Sequence, residues 1–238
     1  QTALCTAEAI ASLANQAVIL NNLGTIHGQC ERHAEAIHCY CEARRVCLRI
    51  DEGPSLASIH ANLMVLFART GRWQEMEETW READRLRLAS QGRKQSFFLT
   101  HARGLSLVYR GRYRQARAHL EDAIRLGREL GDSYVLPMDQ VYRCEALLFE
   151  GAVEEAREAL APLAAAEAPA RIRRMALARL AFAAALGLEA DRAARVDRAA
   201  AERGEIPDVR PVPFLDAWDS LLLAWALSLS GRRDRALE

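Results

Sequence analysis

Gly71-Arg-Trp73, Gly111-Arg-Tyr113 and Gly151-Ala-Val153 decide the fold. Each glycine closes an apolar stretch of helical periodicity, and five residues after it stands Met76, Ala116 or Ala156. The step is about 40 residues, and Gly231 with Ala236 falls two further steps along. A glycine at the end of one helix, followed by a small or medium residue early in the next, describes two helices that turn back and pack closely. Repeated at a fixed step, it describes a row of antiparallel helix pairs.

Working outward from these turns, four units align. The first holds Leu23-Gly24, His27, Ala36, Tyr40 and Ala43, and the second Leu63, Phe67, Gly71, Trp73, Trp80 and Ala83. The third holds Gly104, Gly111, Tyr113, Ala116, Leu120 and Ala123, and the fourth Leu147, Gly151, Ala156 and Leu160. Small residues at Gly24, Gly104, Ala36, Ala116 and Ala156 let two helix axes approach, because a larger side chain would push them apart. Tyr40, Trp80, Leu120 and Leu160 fill the space against the neighbouring pair. Ala36, Ala116 and Ala156 must therefore be buried if the reading is right.

Composition agrees with an all-α chain. Half of the 238 residues are apolar, aromatics are only 6%, and Ala, Leu, Arg and Glu dominate. The 32 basic and 32 acidic residues cancel, leaving no net field to hold a polyanion or an anionic membrane, so nucleic acid is not expected as a partner of this segment. Lys94 is the only lysine. Six cysteines lack the regular spacing of a secreted disulfide framework, and a reducing cytoplasm is the expected compartment. No stretch reaches the roughly 18 uninterrupted apolar residues of a membrane span.

The spacing of Leu-Gly, His27, Ala36, Tyr40 and Ala43 resembles the tetratricopeptide repeat. That family's common repeat has about 34 residues, so the longer step here predicts an additional helical turn and a longer connector in each unit. Asp51-Glu-Gly-Pro54, Ser90-Gln-Gly-Arg93 and Gly131-Asp-Ser133 are the connectors. The resemblance implies a single right-handed superhelical solenoid over 1–238, with units at about 17–50, 57–90, 97–130, 137–170 and 171–204 and a partial one at 214–238. Thr2 to Ala11 reads as the tail of a preceding helix, and both ends read as breaks in a longer array. Helices are expected over Arg171 to Leu186 and Ala190 to Arg203, before Pro207, Pro211 and Pro213 interrupt the pattern and Phe214 to Leu229 begins another pair.

Long repeats of this type look like those of large bacterial signal-transduction proteins, which implies a scaffold or sensor module within an intracellular regulatory protein. In the family the first helix of each pair lines a concave groove. Carried onto this chain, the groove residues are Asn21, Asn22 and Thr25, then Asn62 and Arg69, then His101 and Tyr109, then Tyr142, Glu145 and Phe149. An asparagine amide can meet both the donor and the acceptor of an extended peptide backbone, and Tyr and Arg are frequent interface anchors. A protein or peptide segment is the implied ligand. Family members that clamp a terminal carboxylate use a lysine where this chain has Asn21 and Ala61, so chaperone tails are not expected. Arg103 also departs from the pattern, standing where an apolar residue usually precedes Gly104.

Cys30, His33, His38, Cys39, Cys41 and Cys47 crowd together, and Cys and His are zinc ligands. Their spacing argues for packing instead. His38 and Cys41 are one helical turn apart, but Cys39 points about 100° away from His38 and no Cys-x-x-Cys hairpin is present. Nucleophile elbows, phosphate-binding glycine loops and His-Glu-x-x-His are absent, so neither catalysis nor a cofactor is expected. Two other classes stay open: an array sensing a small molecule or peptide pheromone, and a spacer that self-associates.

Overall fold

The computed structural model describes residues 2–86, 88 and 92–186, and among these there are nine α-helices and no strand. They are α1 (Thr2–Gln29), α2 (His33–Ile50), α3 (Gly53–Arg69), α4 (Trp73–Arg85), α5 (Arg93–Tyr109), α6 (Tyr113–Leu130), α7 (Leu136–Phe149), α8 (Val153–Leu160) and α9 (Ala170–Leu186). The chain divides into two compact units, Gln1–Leu136 and Pro137–Glu238. The helix expected over Ala190 to Arg203, the prolines at 207, 211 and 213, and the pair starting at Phe214 lie outside the described residues.

The repeat is most visible in the turns. The backbone N–H groups of Arg32, Arg72, Arg112 and Ala152 donate to the carbonyls of His27, Phe67, Leu107 and Leu147 at 2.9, 2.8, 2.8 and 2.9 Å. The residue before each donor is left-handed, with φ of 59°, 70°, 72° and 85° at positions 31, 71, 111 and 151. This is the Schellman closure, made four times in steps of 40 residues. Three of the four left-handed residues are the glycines that define the sequence pattern; the first is Glu31. A side chain in that conformation costs about 1 kcal/mol or more. Glu31→Gly is therefore expected to stabilise the first unit by about 1 kcal/mol, read as a higher urea midpoint with an unchanged slope. A drop in the midpoint would show that the Glu31 side chain contributes more than its backbone costs.

Helix lengths differ along the chain, with α4 and α8 short at 13 and 8 residues. α2 and α6 run 18 residues, and α3 and α5 run 17. The connector after α2 shrinks to Asp51 and Glu52, with Pro54 seated in the first turn of α3, where its missing N–H is not needed. The Glu52 carboxylate accepts from the Ser55 N–H at 2.7 Å. After α6, one Asp132 oxygen accepts from the N–H groups of Tyr134, Val135 and Leu136 at 3.1, 2.6 and 3.0 Å and starts α7. At the chain start the spacing predicts a break near Ala11, whereas α1 is continuous from Thr2. No Gly or Pro separates Ala11 from Ala17, so nothing local stops the helix.

Close approach happens where the small residues stand. Ala36, Ala116 and Ala156 are wholly buried. A Cβ on Gly24 would come within 2.6 Å of the Tyr40 ring, and one on Gly104 within 2.8 Å of Leu120. The second repeat has Met64 in the place of Gly24, and the aromatic opposite, Trp80, is left half-exposed while Tyr40 and Leu120 are buried. Trp80 stacks instead with Arg103, 5.1 Å from its ring, and meets His119 edge-on at 5.9 Å. Arg103 also pairs with Glu77 at 3.1 Å, so its charge is balanced at its odd position.

Within Gln1–Leu136 the helices form two layers. α1, α3 and α5 neighbour one another on one side, and α2, α4 and α6 are linked on the other through Arg44 with Glu82 and Trp80 with His119. In Pro137–Glu238, α7 and α8 share an apolar core with α9, built on Leu147, Leu148, Ala156, Leu160, Ala176 and Phe182.

Candidate recognition surface

α3 is the helix most enclosed by its neighbours, and what it leaves accessible forms one row. Pro54, Ser55, Ser58, Asn62, Val65 and Arg69 keep some exposure, while the residues between them from Leu56 to Ala68 are buried. Steps of three and four put them along one face. Two of the groove residues that the family resemblance implies, Asn62 and Arg69, lie on this row. The Asn62 amide donates to the Asn21 side-chain oxygen at 3.0 Å, which ties the row to α1.

Thr25 extends the same network. Its hydroxyl donates to the Asn21 carbonyl at 3.1 Å and lies 3.1 Å from the Tyr40 hydroxyl. With the Thr25 proton already used, Tyr40 is the donor in the second bond. Burial pushes the Tyr40 phenol above its ordinary value, while the Thr25 bond and the nearby Arg69 charge pull it down, so the donor proton stays in place. Asn21, Thr25, Asn62 and Arg69 thus share one polar neighbourhood. His101 and Tyr109 sit half-buried on α5, which packs beside α3, and Asn22 is exposed on α1.

The three candidates on α7 belong to the second unit. The family resemblance implies Tyr142 and Glu145 on a groove face, but they are 1% and 2% exposed. The reason is α9. Its Arg179, itself 1% exposed, donates through Nε to Glu145 at 2.9 Å, pairs with the same carboxylate through Nη2, and lies 5.5 Å from the Tyr142 ring. Arg179 also donates to the Met175 carbonyl at 3.0 Å. Phe149 packs on Phe182, with ring centroids 5.6 Å apart. These residues hold α7 to α9 and present no polar surface to a ligand.

Sequence reasoning missed a second buried polar group. His60 on α3 is fully buried, and the Leu56 carbonyl 2.9 Å from Nδ1 requires a proton on that nitrogen. Nε2 lies 3.3 Å from the Glu82 carboxylate, which also accepts from Arg44 at 3.0 Å. Burial holds His60 below its ordinary value, although Leu56 and Glu82 pull the other way. Burial also lowers His119. Both imidazoles are thus neutral in the native state, while the unfolded chain takes up protons as pH falls below about 6.5. Stability is present above that pH and is lost as pH falls towards the lowered native values. Urea midpoints are expected to drop between pH 7.5 and 5.5, and His60→Gln should flatten that drop; an equal slope in the variant would remove His60 as its source.

The cysteine and histidine cluster is spread between solvent and core. Cys39 and Cys47 are buried, Cys30 is exposed, and His38 is exposed. Burial pushes the Cys47 and Cys144 thiols up to about 11, which leaves them protonated and unreactive at neutral pH. Among the described residues no three His, Cys, Asp or Glu side chains stand close enough to share a metal ion, and no helix is long and apolar enough to cross a membrane. No protein-family model matches this chain, and no curated protein is similar enough to serve as a relative.

Proposed function

We propose that this chain is a non-enzymatic recognition module of the tetratricopeptide kind, its helix pairs stacked in a right-handed superhelix within an intracellular, bacterial regulatory protein. Its ligand is an extended protein or peptide segment laid along the accessible row of α3. The pair Asn62 and Asn21 carries this reading. The two amides satisfy each other across neighbouring helices, and each can exchange that bond for a peptide N–H or C=O without leaving a polar group dry.

A displayed library of random peptides, selected on the whole chain, tests this directly. The expected binders are extended, and Asn62→Ala or Arg69→Ala should each weaken them about tenfold, the equivalent of one hydrogen bond to a polar or charged partner. A library that yields no binder, or binders indifferent to both substitutions, would remove the row as the site.

A further inference from the structure

The accessible row of α3 carries no charge between its ends. No Asp, Glu, Lys or Arg occurs from Gly53 to Ala68, and the row there reads Ser55, Ser58, Asn62 and Val65, each half-exposed. Glu52, just before it, accepts from the Ser55 N–H at 2.7 Å, and Arg69 stands in the last turn. Half-burial does not by itself forbid charge in this unit. Arg44, Glu77, Glu82 and Arg103 are half-buried on the neighbouring helices, where they form ion pairs at 3.0 and 3.1 Å. α4 and α6 also turn Glu78, Arg81, Arg114 and Arg125 to solvent. Ionic groups are the ordinary covering of a water-facing surface, whereas their depletion marks the core of an interface.

The flanking helices supply no counter-charge either. α1 has no Asp, Glu, Lys or Arg from Ala9 to Gln29, and α5 has no Asp or Glu. The α5 cations Arg93 and Arg103 pair with Glu129 on α6 and Glu77 on α4. A ligand Asp, Glu or Lys set down on the middle of the row would therefore lose water and meet no opposite charge, so desolvation works against both signs. Neutral polar groups are met instead. The Ser58 hydroxyl gives its proton to the Ser55 carbonyl at 2.9 Å, which leaves its oxygen as an acceptor for a ligand N–H. Asn62 adds an amide, and Val65 beside it offers only methyl groups.

We propose that the α3 row selects its ligand by excluding charge: the stretch of peptide lying over Ser55 to Val65 is uncharged, built of small apolar, amide and hydroxyl residues. That span is about 15 Å, enough for about four to five residues of extended chain. This selectivity rests on the row being the peptide site.

Peptides selected from the random library on the whole chain should share one short block free of Asp, Glu, Lys and Arg. Placing either Asp or Lys at the centre of that block should weaken binding about tenfold or more, and placing them outside it should change binding less than about threefold. Equal loss with both signs separates exclusion of charge from an electrostatic field, which would favour one sign. Ser58→Asp, at a half-exposed position, should then recover most of the loss for the Lys peptide and deepen it for the Asp peptide, with helix content by circular dichroism unchanged. An empty selection, or binders that ignore both Asn62→Ala and Arg69→Ala, would overturn the site and this selectivity with it. Binders that need Asn62 yet accept Asp or Lys at the centre of the block would overturn the selectivity alone.

Discussion

Arg179→Met and Glu145→Leu, made singly, are each expected to destabilise the second unit by about 3–5 kcal/mol, and made together to cost far less. Arg179 and Glu145 are 1% and 2% exposed, so removing either leaves a charge with neither water nor a counterion. Removing both leaves two apolar side chains among Leu147, Phe182 and their neighbours, which can accept them. Amide hydrogen exchange on α7 and α9 is the suitable readout, because it follows each unit separately where a single melting curve merges them. Additive losses in the double variant would mean that the two residues do not act as a pair.

The second large effect is expected at Gly104. A Cβ there would lie 2.8 Å from the Leu120 Cγ and 3.3 Å from the Leu120 backbone nitrogen, so Gly104→Val must drive α5 and α6 apart. Overpacking of this kind costs about 1–3 kcal/mol. Leu120→Ala alone should cost about 2–5 kcal/mol, since Leu120 is wholly buried and its loss opens a cavity. Put together, the valine fills part of that cavity, and the pair should cost at least about 1 kcal/mol less than the two separate losses. A simple sum in urea unfolding would show that the contact between positions 104 and 120 does not set the helix spacing.

What the sequence reveals here is what the backbone fixes locally. Gly71, Gly111 and Gly151 announce their turns because the left-handed residue at each helix end favours glycine, and Ala36, Ala116 and Ala156 announce close contacts because each is wholly buried. Glu31 adopts the same turn without the residue that would signal it. Glu145 with Arg179, His60 with Glu82, and Arg44 with Glu82 pair across 34, 22 and 38 residues. No periodicity marks such partners, since each is set by how one helix lies on another. For the same reason Tyr142 and Glu145 look like surface residues by position in the repeat, yet α9 covers them.

In the four Schellman turns spaced 40 residues apart, the closing bond runs between main-chain groups. A cut and rejoin at equivalent points, such as Gly71 to Arg112 after excision of 72–111, would therefore recreate a junction with the same bonds, whatever side chains flank it. Length in this molecule can be added or removed in whole modules, and recombination between copies of its gene segment would yield shorter or longer chains whose hinges need no repair.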